Sequence, residues 1–304
     1  MNELQAYLNG QWIPASAAAV SAVDAGFVLG VTVAEQLRTF AGRIFRLEEH
    51  LDRLEHSLQI IGLTPPLIRR QSMEIAQKLI DINQQLLKPG DDWGVTIFVT
   101  PGLYASYSPA ECGQPTVCFH AYPLPFCLWA EKYRRGQALV TTEIQQVPGQ
   151  CWPAVLKCRS RMHYYLADKL AREKDPSARA VLLDGEGHVT EASTANVAIY
   201  RKTEGLISPP RKKILPGISL ATAFQLAEGL GISCFERELT AADLTAADEI
   251  ILTSTPMCLL PVTRFNGRPV GSGRPGEISC RLLASWSEMA GVDIVGQAEK
   301  FARR

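Results

Sequence analysis

Lys157 closes an apolar run, Ala154-Val155-Leu156, and precedes a stretch with helical spacing and arginines, Cys158-Arg159-Ser160-Arg161-Met162-His163-Tyr164-Tyr165-Leu166-Ala167. Burial penalises a charged ammonium and favours the neutral amine, the nucleophilic form that a Schiff-base lysine needs. The same lysine can instead lay its stem on apolar surface and put its ammonium in water. Three later stretches bear on the choice. Val189-Thr190-Glu191-Ala192-Ser193-Thr194-Ala195-Asn196-Val197 sets a carboxylate and small polar residues before an apolar strand. Glu191 is either an exposed turn acid or a group that keeps a heterocyclic nitrogen protonated. Leu215-Pro216-Gly217-Ile218-Ser219 opens a helix. Gly217 permits close backbone approach, and the free N–H groups of a first helical turn form an anion seat. A plain Pro-Gly turn with Ser219 as N-cap accounts for the same residues. Thr253-Ser254-Thr255 ends a strand and offers hydroxyls and amides to a second side of such an anion.

The surrounding pattern predicts the elements that carry these residues. Residues 5–13 read as a hairpin about Asn9-Gly10, followed by strands at 35–40 and 43–47. Leu47, Leu51, Leu54, Leu58 and Ile61 recur at helical spacing over 48–63, and Gly62 closes that helix. A second helix is expected over 66–87, then strands at 95–100 and 115–120. Tyr122-Pro123-Leu124-Pro125 is held extended by its prolines. It marks an N-terminal domain over 1–122, a linker over 123–130 and a larger C-terminal domain over 131–304. The second part alternates strands (138–142, 180–183, 195–200, 249–253) with helices (160–174, 220–230). The fold class is α+β, a mixed α/β arrangement in two domains. No G-x-G-x-x-G follows a strand and no P-loop is present.

Thirty-one basic residues balance 31 acidic ones, so no net field favours nucleic acid or an anionic membrane. The apolar stretch over 15–34 has no basic region before it and is interrupted by Asp24, unlike a signal peptide or a membrane span. The eight cysteines (112, 118, 127, 151, 158, 234, 258 and 280) form no C-x-x-C pair and no zinc spacing. They point to a reducing compartment, and a soluble cytoplasmic protein is expected. The five histidines show no metal spacing, and His50 and His56 are expected on a solvated helix face. No G-x-S-x-G occurs.

Taken together and in order, these stretches resemble the fold-type IV pyridoxal-phosphate enzymes. These are the class IV aminotransferases (branched-chain and D-amino-acid) and aminodeoxychorismate lyase. V-T-E-A-S-T-A-N-V (189–197) looks like the family's T-E-G/A-S-x-x-N-V/I, and L-P-G-I-S (215–219) like its L-x-G-I-T/S. H-L-D-R-L (50–54) and T-S-T…P-V (253–262) match its helix motif and second phosphate loop. The resemblance runs from about Tyr7 to beyond Val262 and implies a D-amino-acid-aminotransferase-like fold binding pyridoxal 5'-phosphate. It implies that Lys157 forms an aldimine with the cofactor and moves the substrate proton, and that Glu191 pairs with the ring nitrogen. Arg53, Gly217, Ile218, Ser219, Ser254 and Thr255 would hold the phosphate side, with Leu215 also in the cofactor site. Thr194, Ala195 and Asn196 would line the ring.

The substrate side departs from the family's known patterns. Ala34 stands where an aromatic residue is common, and residues 100–107 lack an arginine–histidine carboxylate trap. Pro256 brings no N–H where branched-chain members use a backbone amide. Arg38, Tyr104, Tyr107 and Arg161 are the polar candidates to hold a substrate carboxylate. The implied reaction transfers an amino group from an amino acid or amine to a 2-oxo acid in a homodimer. Aminodeoxychorismate lyase, releasing pyruvate and 4-aminobenzoate, is the second reading, and a non-catalytic pyridoxal-phosphate-binding protein the third. No metal is expected.

Overall fold

A computed structural model describes residues 3–109 and 113–303; Cys112 lies outside them. The chain forms two units, residues 1–124 with 156–160, and residues 125–155 with 161–304. Both mix helices with sheet, so the α+β class read from the sequence is what the chain adopts.

In the first unit β1 (Gln5–Leu8) and β2 (Gln11–Pro14) pair about Asn9 and Gly10. Both turn residues have positive φ, 48° and 90°, as a tight hairpin turn requires. A short α1 (Ala25–Val28) starts where the Asp24 side chain accepts from Gly26 N at 2.7 Å. Asp24 also accepts from the Thr100 and Thr116 hydroxyls, at 2.9 and 2.7 Å, which anchors the turn. Then come β3 (Val33–Phe40), β4 (Arg43–Ile44), α2 (Leu47–Ile60), α3 (Arg69–Asn83), β5 (Trp93–Thr100) and β6 (Thr116–Pro123). The sheet runs β2-β1-β6-β5-β3-β4, antiparallel throughout. One face packs on the helices, with Val33 and Leu37 of β3 against Leu51, Leu54 and Leu58 of α2 and Leu79 and Ile80 of α3.

The second helix is shorter than its pattern predicts. Pro65 and Pro66 keep the chain extended before Arg69, and the last turn tightens into a 3-10 segment at Gln84–Leu86. The side of β3 away from β5 carries β4 only at Thr39 and Phe40. At its other end residues 156–160 take the place of a strand. Ala34 N donates to Lys157 O at 3.1 Å, and Arg159 N to Thr32 O at 2.8 Å. Lys157 N donates to Ser57 Oγ at 3.2 Å, and Ser160 Oγ to Gly30 O at 2.8 Å. Lys157 is thus half-buried in an extended segment rather than at the end of a buried strand. The following helix starts two residues later than predicted.

The second unit begins with α4 (Ala130–Arg135), β7 (Gln137–Thr141) and α5 (Met162–Lys174). Next are β8 (Ala178–Leu183), β9 (Val189–Ala192), β10 (Ala195–Arg201), β11 (Gly205–Ser208), α6 (Ile218–Gly229) and β12 (Cys234–Glu236). The chain finishes with α7 (Ala241–Thr245), β13 (Glu249–Ser254), β14 (Cys258–Phe265), β15 (Arg268–Pro269), α8 (Glu277–Ala290) and α9 (Ile294–Phe301). The strands order as β12-β11-β10-β13-β14-β7-β8-β9, and β9 also pairs with β10, closing a ring. Closure removes most free strand edges. β14 lies outside the strands predicted from the sequence, and its Pro261 pairs with Ile251. Buried Glu249 on β13 accepts from Ile278 N and Ser279 N at 2.8 and 2.9 Å, satisfying first-turn donors of α8.

Candidate active site

β9 and β10 are joined through Ser193 and Thr194, with Ala192 opposite Ala195 and Glu191 opposite Asn196. Thr194 has φ 62°, the left-handed region, which costs a threonine free energy. Arg179 offsets that cost by donating to Ser193 O and, at 2.8 Å, to Thr194 Oγ1. Glu191 is 5% exposed, which excludes the exposed turn acid. Its Oε1 accepts from Gln146 Nε2 at 2.8 Å and from the Tyr164 hydroxyl. Its Oε2 accepts from Asn196 Nδ2 and Leu215 N, both at 3.4 Å. Both carboxylate oxygens thus meet donors. Burial, and then the neighbouring Glu191 charge and hydrogen bond, push the Tyr164 phenol well above its ordinary range, so it remains a donor. Gln146 and Tyr164 were not found from the sequence. The one signal was the uncommitted stretch after Lys157.

Asn196 ties this carboxylate to the start of α6. Its Nδ2 donates to Leu215 O at 2.9 Å, and a Cβ at residue 217 would come within 1.8 Å of its Oδ1. Only glycine fits there, although its φ of −71° is ordinary. Gly217, not Ser219, is the N-cap, and it supplies no side-chain cap. The first-turn N–H groups of α6 are therefore left for something else. The Ser219 hydroxyl, in that first turn, is buried without a hydrogen-bond partner, and so is that of Thr253, the cross-strand partner of Asn196. Buried hydroxyls without partners are costly, so an acceptor is expected beside them. A phosphate suits this donor set: helix N–H groups, hydroxyls and a glycine that permits close approach. Leu215, Ile218, Ser254 and Thr255 lie on the same turns, Thr255 buried and Ser254 half-buried. Thr253 was passed over in favour of its two neighbours. Pro256 follows in the β13–β14 turn, half-buried.

In the first unit the Glu35 side chain lies on the helix-facing side of β3, since alternate strand residues share a face. There Arg53 Nε and Nη2 grip the carboxylate at 2.8 Å each, and His50 Nδ1 approaches Oε2 at 2.7 Å. Burial works to raise the Glu35 pKa, but the Arg53 charge and the hydrogen bonds from Arg53 and His50 prevail and hold it far below the carboxylate range. Burial lowers His50 against the pull of Glu35, with the Arg53 and Lys157 charges adding to the fall. This corrects the solvated placement of His50, which is 0% exposed. Arg38 is 0% exposed, stacked on Phe40 at 4.0 Å and 3.8 Å from Asp92, so its charge is engaged within the core. Tyr104 and Tyr107 meet edge to face at 5.8 Å, with Tyr107 62% exposed. Arg161, in the second unit, is half-buried at the N-cap of α5.

The histidine reading missed one cluster. Asp184, Glu186 and His188 bring ligand atoms within 4.8 Å of one another. Lys213 Nζ stands 3.3 Å from Asp184 and 2.6 Å from Glu238, giving these acids a built-in cation. The cluster is an ion-pair network at the base of the β8–β9 turn.

The fold, the cupped start of α6 and the buried acid define an enzyme of fold type IV. The family model for amino-transferase class IV matches residues 32–265, and the chain belongs to that family. A D-alanine aminotransferase of Staphylococcus aureus (strain COL) is 30% identical over 91% of this chain and 94% of its own length. A Methanocaldococcus jannaschii relative, provisionally named a branched-chain-amino-acid aminotransferase, is 28% identical over 94% of this chain and 96% of its own. A solved branched-chain amino acid aminotransferase of the source abbreviated T.th., with pyridoxamine 5'-phosphate, superposes at a TM-score of 0.84. It is 25% identical and covers 94% of both chains. The protein is an aminotransferase, and these relatives support that reading rather than the lyase.

Proposed function

We propose that the chain binds pyridoxal 5'-phosphate and uses it to pass an amino group from an α-amino acid to a 2-oxo acid. The observation that carries this is the pair of partnerless buried hydroxyls, Ser219 and Thr253, beside the uncapped start of α6. When bound, the cofactor supplies an electron sink that acidifies the substrate Cα–H bond. Lys157 Nζ would hold the cofactor covalently and, when its amine is free, would carry the substrate Cα proton. Glu191 Oε2 accepts the hydrogen bond of the protonated ring nitrogen. The N–H groups of Ile218 and Ser219, the hydroxyls of Ser219, Thr253, Ser254 and Thr255, and Arg53 hold the phosphate. Thr194, Ala195, Asn196 and Leu215 line the ring, and Gly217 lets the backbone approach. Tyr104, Tyr107 and Arg161 contact the substrate carboxylate, and Pro256 borders it without donating.

The relatives bear both branched-chain and D-alanine names, and amino acids of those two kinds are the proposed donors. The proposal includes a homodimer, as the family resemblance implies, and a cytoplasmic location, as the cysteine usage suggests. No described helix is long and apolar enough to cross a membrane.

Borohydride reduction of protein loaded with the cofactor, followed by peptide mass spectrometry, tests the reading. A pyridoxyl adduct is expected on Lys157. A panel of L- and D-amino acids with 2-oxoglutarate and pyruvate should show donor-dependent amino transfer. An adduct on another lysine, or no uptake of cofactor, overturns the assignment.

A further inference from the structure

The Glu191 carboxylate accepts hydrogen bonds on both of its oxygens. Oε1 carries two close donors, Gln146 Nε2 at 2.8 Å and the Tyr164 hydroxyl. Oε2 meets Asn196 Nδ2 and Leu215 N at the longer distance of 3.4 Å. The contacts on Oε1 fall within hydrogen-bond length and hold that end of the carboxylate. A ring N–H at Oε2 would compete with the two long contacts there rather than with the close donors on Oε1.

Both donors are held by contacts of their own. Gln146 is 9% exposed, and its backbone N donates to Leu183 O at 2.9 Å. Its own Oε1 accepts from Val147 N at 3.2 Å, which sets the amide so that Nε2 faces Glu191. Tyr164 lies in the first turn of α5, and its ring packs against the cluster of Ala138, Val140, Ala167, Ala171 and Leu182. The alanines at 138, 167 and 171 let α5 approach β7 and β8 closely, which brings the phenol down to the carboxylate.

We infer that Tyr164 is a positioning residue for amino transfer: with Gln146 it pins Glu191 Oε1 and thereby presents Oε2 to the cofactor's ring nitrogen. This rests on the proposed pairing of Glu191 with that nitrogen. Without the phenol, the buried carboxylate loses a donor that favours its ionised form and is free to rotate about its last bond. The ring nitrogen is then held protonated less firmly. With the ring withdrawing fewer electrons, the proton on Lys157 Nζ is held more tightly.

Tyr164→Phe keeps the ring and its packing and removes only the hydroxyl. Its dissociation constant for pyridoxal 5'-phosphate, measured by fluorescence titration, should rise about tenfold. The pH midpoint of the bound chromophore should move up by roughly half a unit or more. The kcat should fall while the amino-donor KM stays within about twofold. Gln146→Leu, which removes the other close donor, should shift the same midpoint in the same direction. A merely structural role would lower the melting temperature without moving that midpoint.

The outcomes separate the two levels of the reading. A wild-type chain that takes up no pyridoxal 5'-phosphate overturns the proposed function and this inference together. Glu191→Gln with a wild-type affinity and midpoint overturns the role of Glu191. Glu191→Gln impaired but Tyr164→Phe and Gln146→Leu both matching wild type overturns the positioning role alone.

Discussion

Asn196 Oδ1 lies 1.8 Å from where a Cβ on residue 217 would sit, while its Nδ2 donates to Leu215 O at 2.9 Å. One amide therefore requires glycine at 217 and sets the turn that opens α6. Gly217→Ala should displace Asn196 or the turn, destabilising the cofactor-free protein by about 1–3 kcal/mol. The affinity for pyridoxal 5'-phosphate should drop about tenfold. Urea denaturation and absorbance titration check the two effects. An alanine variant with wild-type cofactor affinity would show that the turn does not shape the phosphate seat.

Ser219 and Thr253 should respond with opposite signs in the free and loaded protein. Each hydroxyl is buried without a partner. Thr253→Val and Ser219→Ala should thus leave the cofactor-free melting temperature unchanged or raise it, since each removes an unsatisfied polar atom. The same changes should weaken cofactor binding, by roughly 3- to 30-fold for a hydrogen bond to a charged acceptor. Differential scanning calorimetry with and without pyridoxal 5'-phosphate reads both signs.

Arg53 is coupled to stability as well as to the proposed phosphate site. Arg53→Ala leaves the fully buried Glu35 carboxylate without its guanidinium partner. Breaking a buried pair in this way costs about 3–5 kcal/mol. Arg53→Lys should recover only part of that, because an ammonium cannot reproduce the two-pronged contact. Denaturant unfolding of the cofactor-free protein measures both. A loss confined to cofactor binding would contradict the structural half of this expectation.

The Glu35–His50 pair gives the first unit a pH dependence. His50 is depressed from 6.5 by burial, so the unfolded chain takes up its proton first as pH falls. Stability present above pH 6.5 should then decline below it. Glu35 is depressed from 4.5 by Arg53 and His50 against burial, and adds a second loss below pH 4.5. Melting curves should therefore shift downward between about pH 7 and 5, and more steeply below pH 4.5. His50→Gln should flatten the upper window and leave the lower one. An unchanged upper window in that variant would assign the decline to other groups.

Periodicity and motif order reached much of this protein. The Leu51, Leu54 and Leu58 stripe is buried as its spacing demanded, because helical period alone sets which residues share a face. Asn9-Gly10 forms its hairpin because few other residues tolerate those angles. The order of Glu191, Gly217 and Thr255 behind Lys157 was enough to point to the family. These are local properties, carried by a few consecutive residues each.

Tertiary structure decided how those residues are held. Gln146 and Tyr164 reach Glu191 from 45 and 27 residues away, and only the register of the closed sheet brings them together. Residues 156–160 pair with β3 because β4 leaves that side open, which no pattern near Lys157 announces. His50, Arg53 and Arg38 look solvated by residue type. Their burial follows from Glu35 and Asp92, whose positions are fixed by strands far along the chain. A charged side chain is buried only where its counter-charge is delivered, and that delivery is a property of the folded chain.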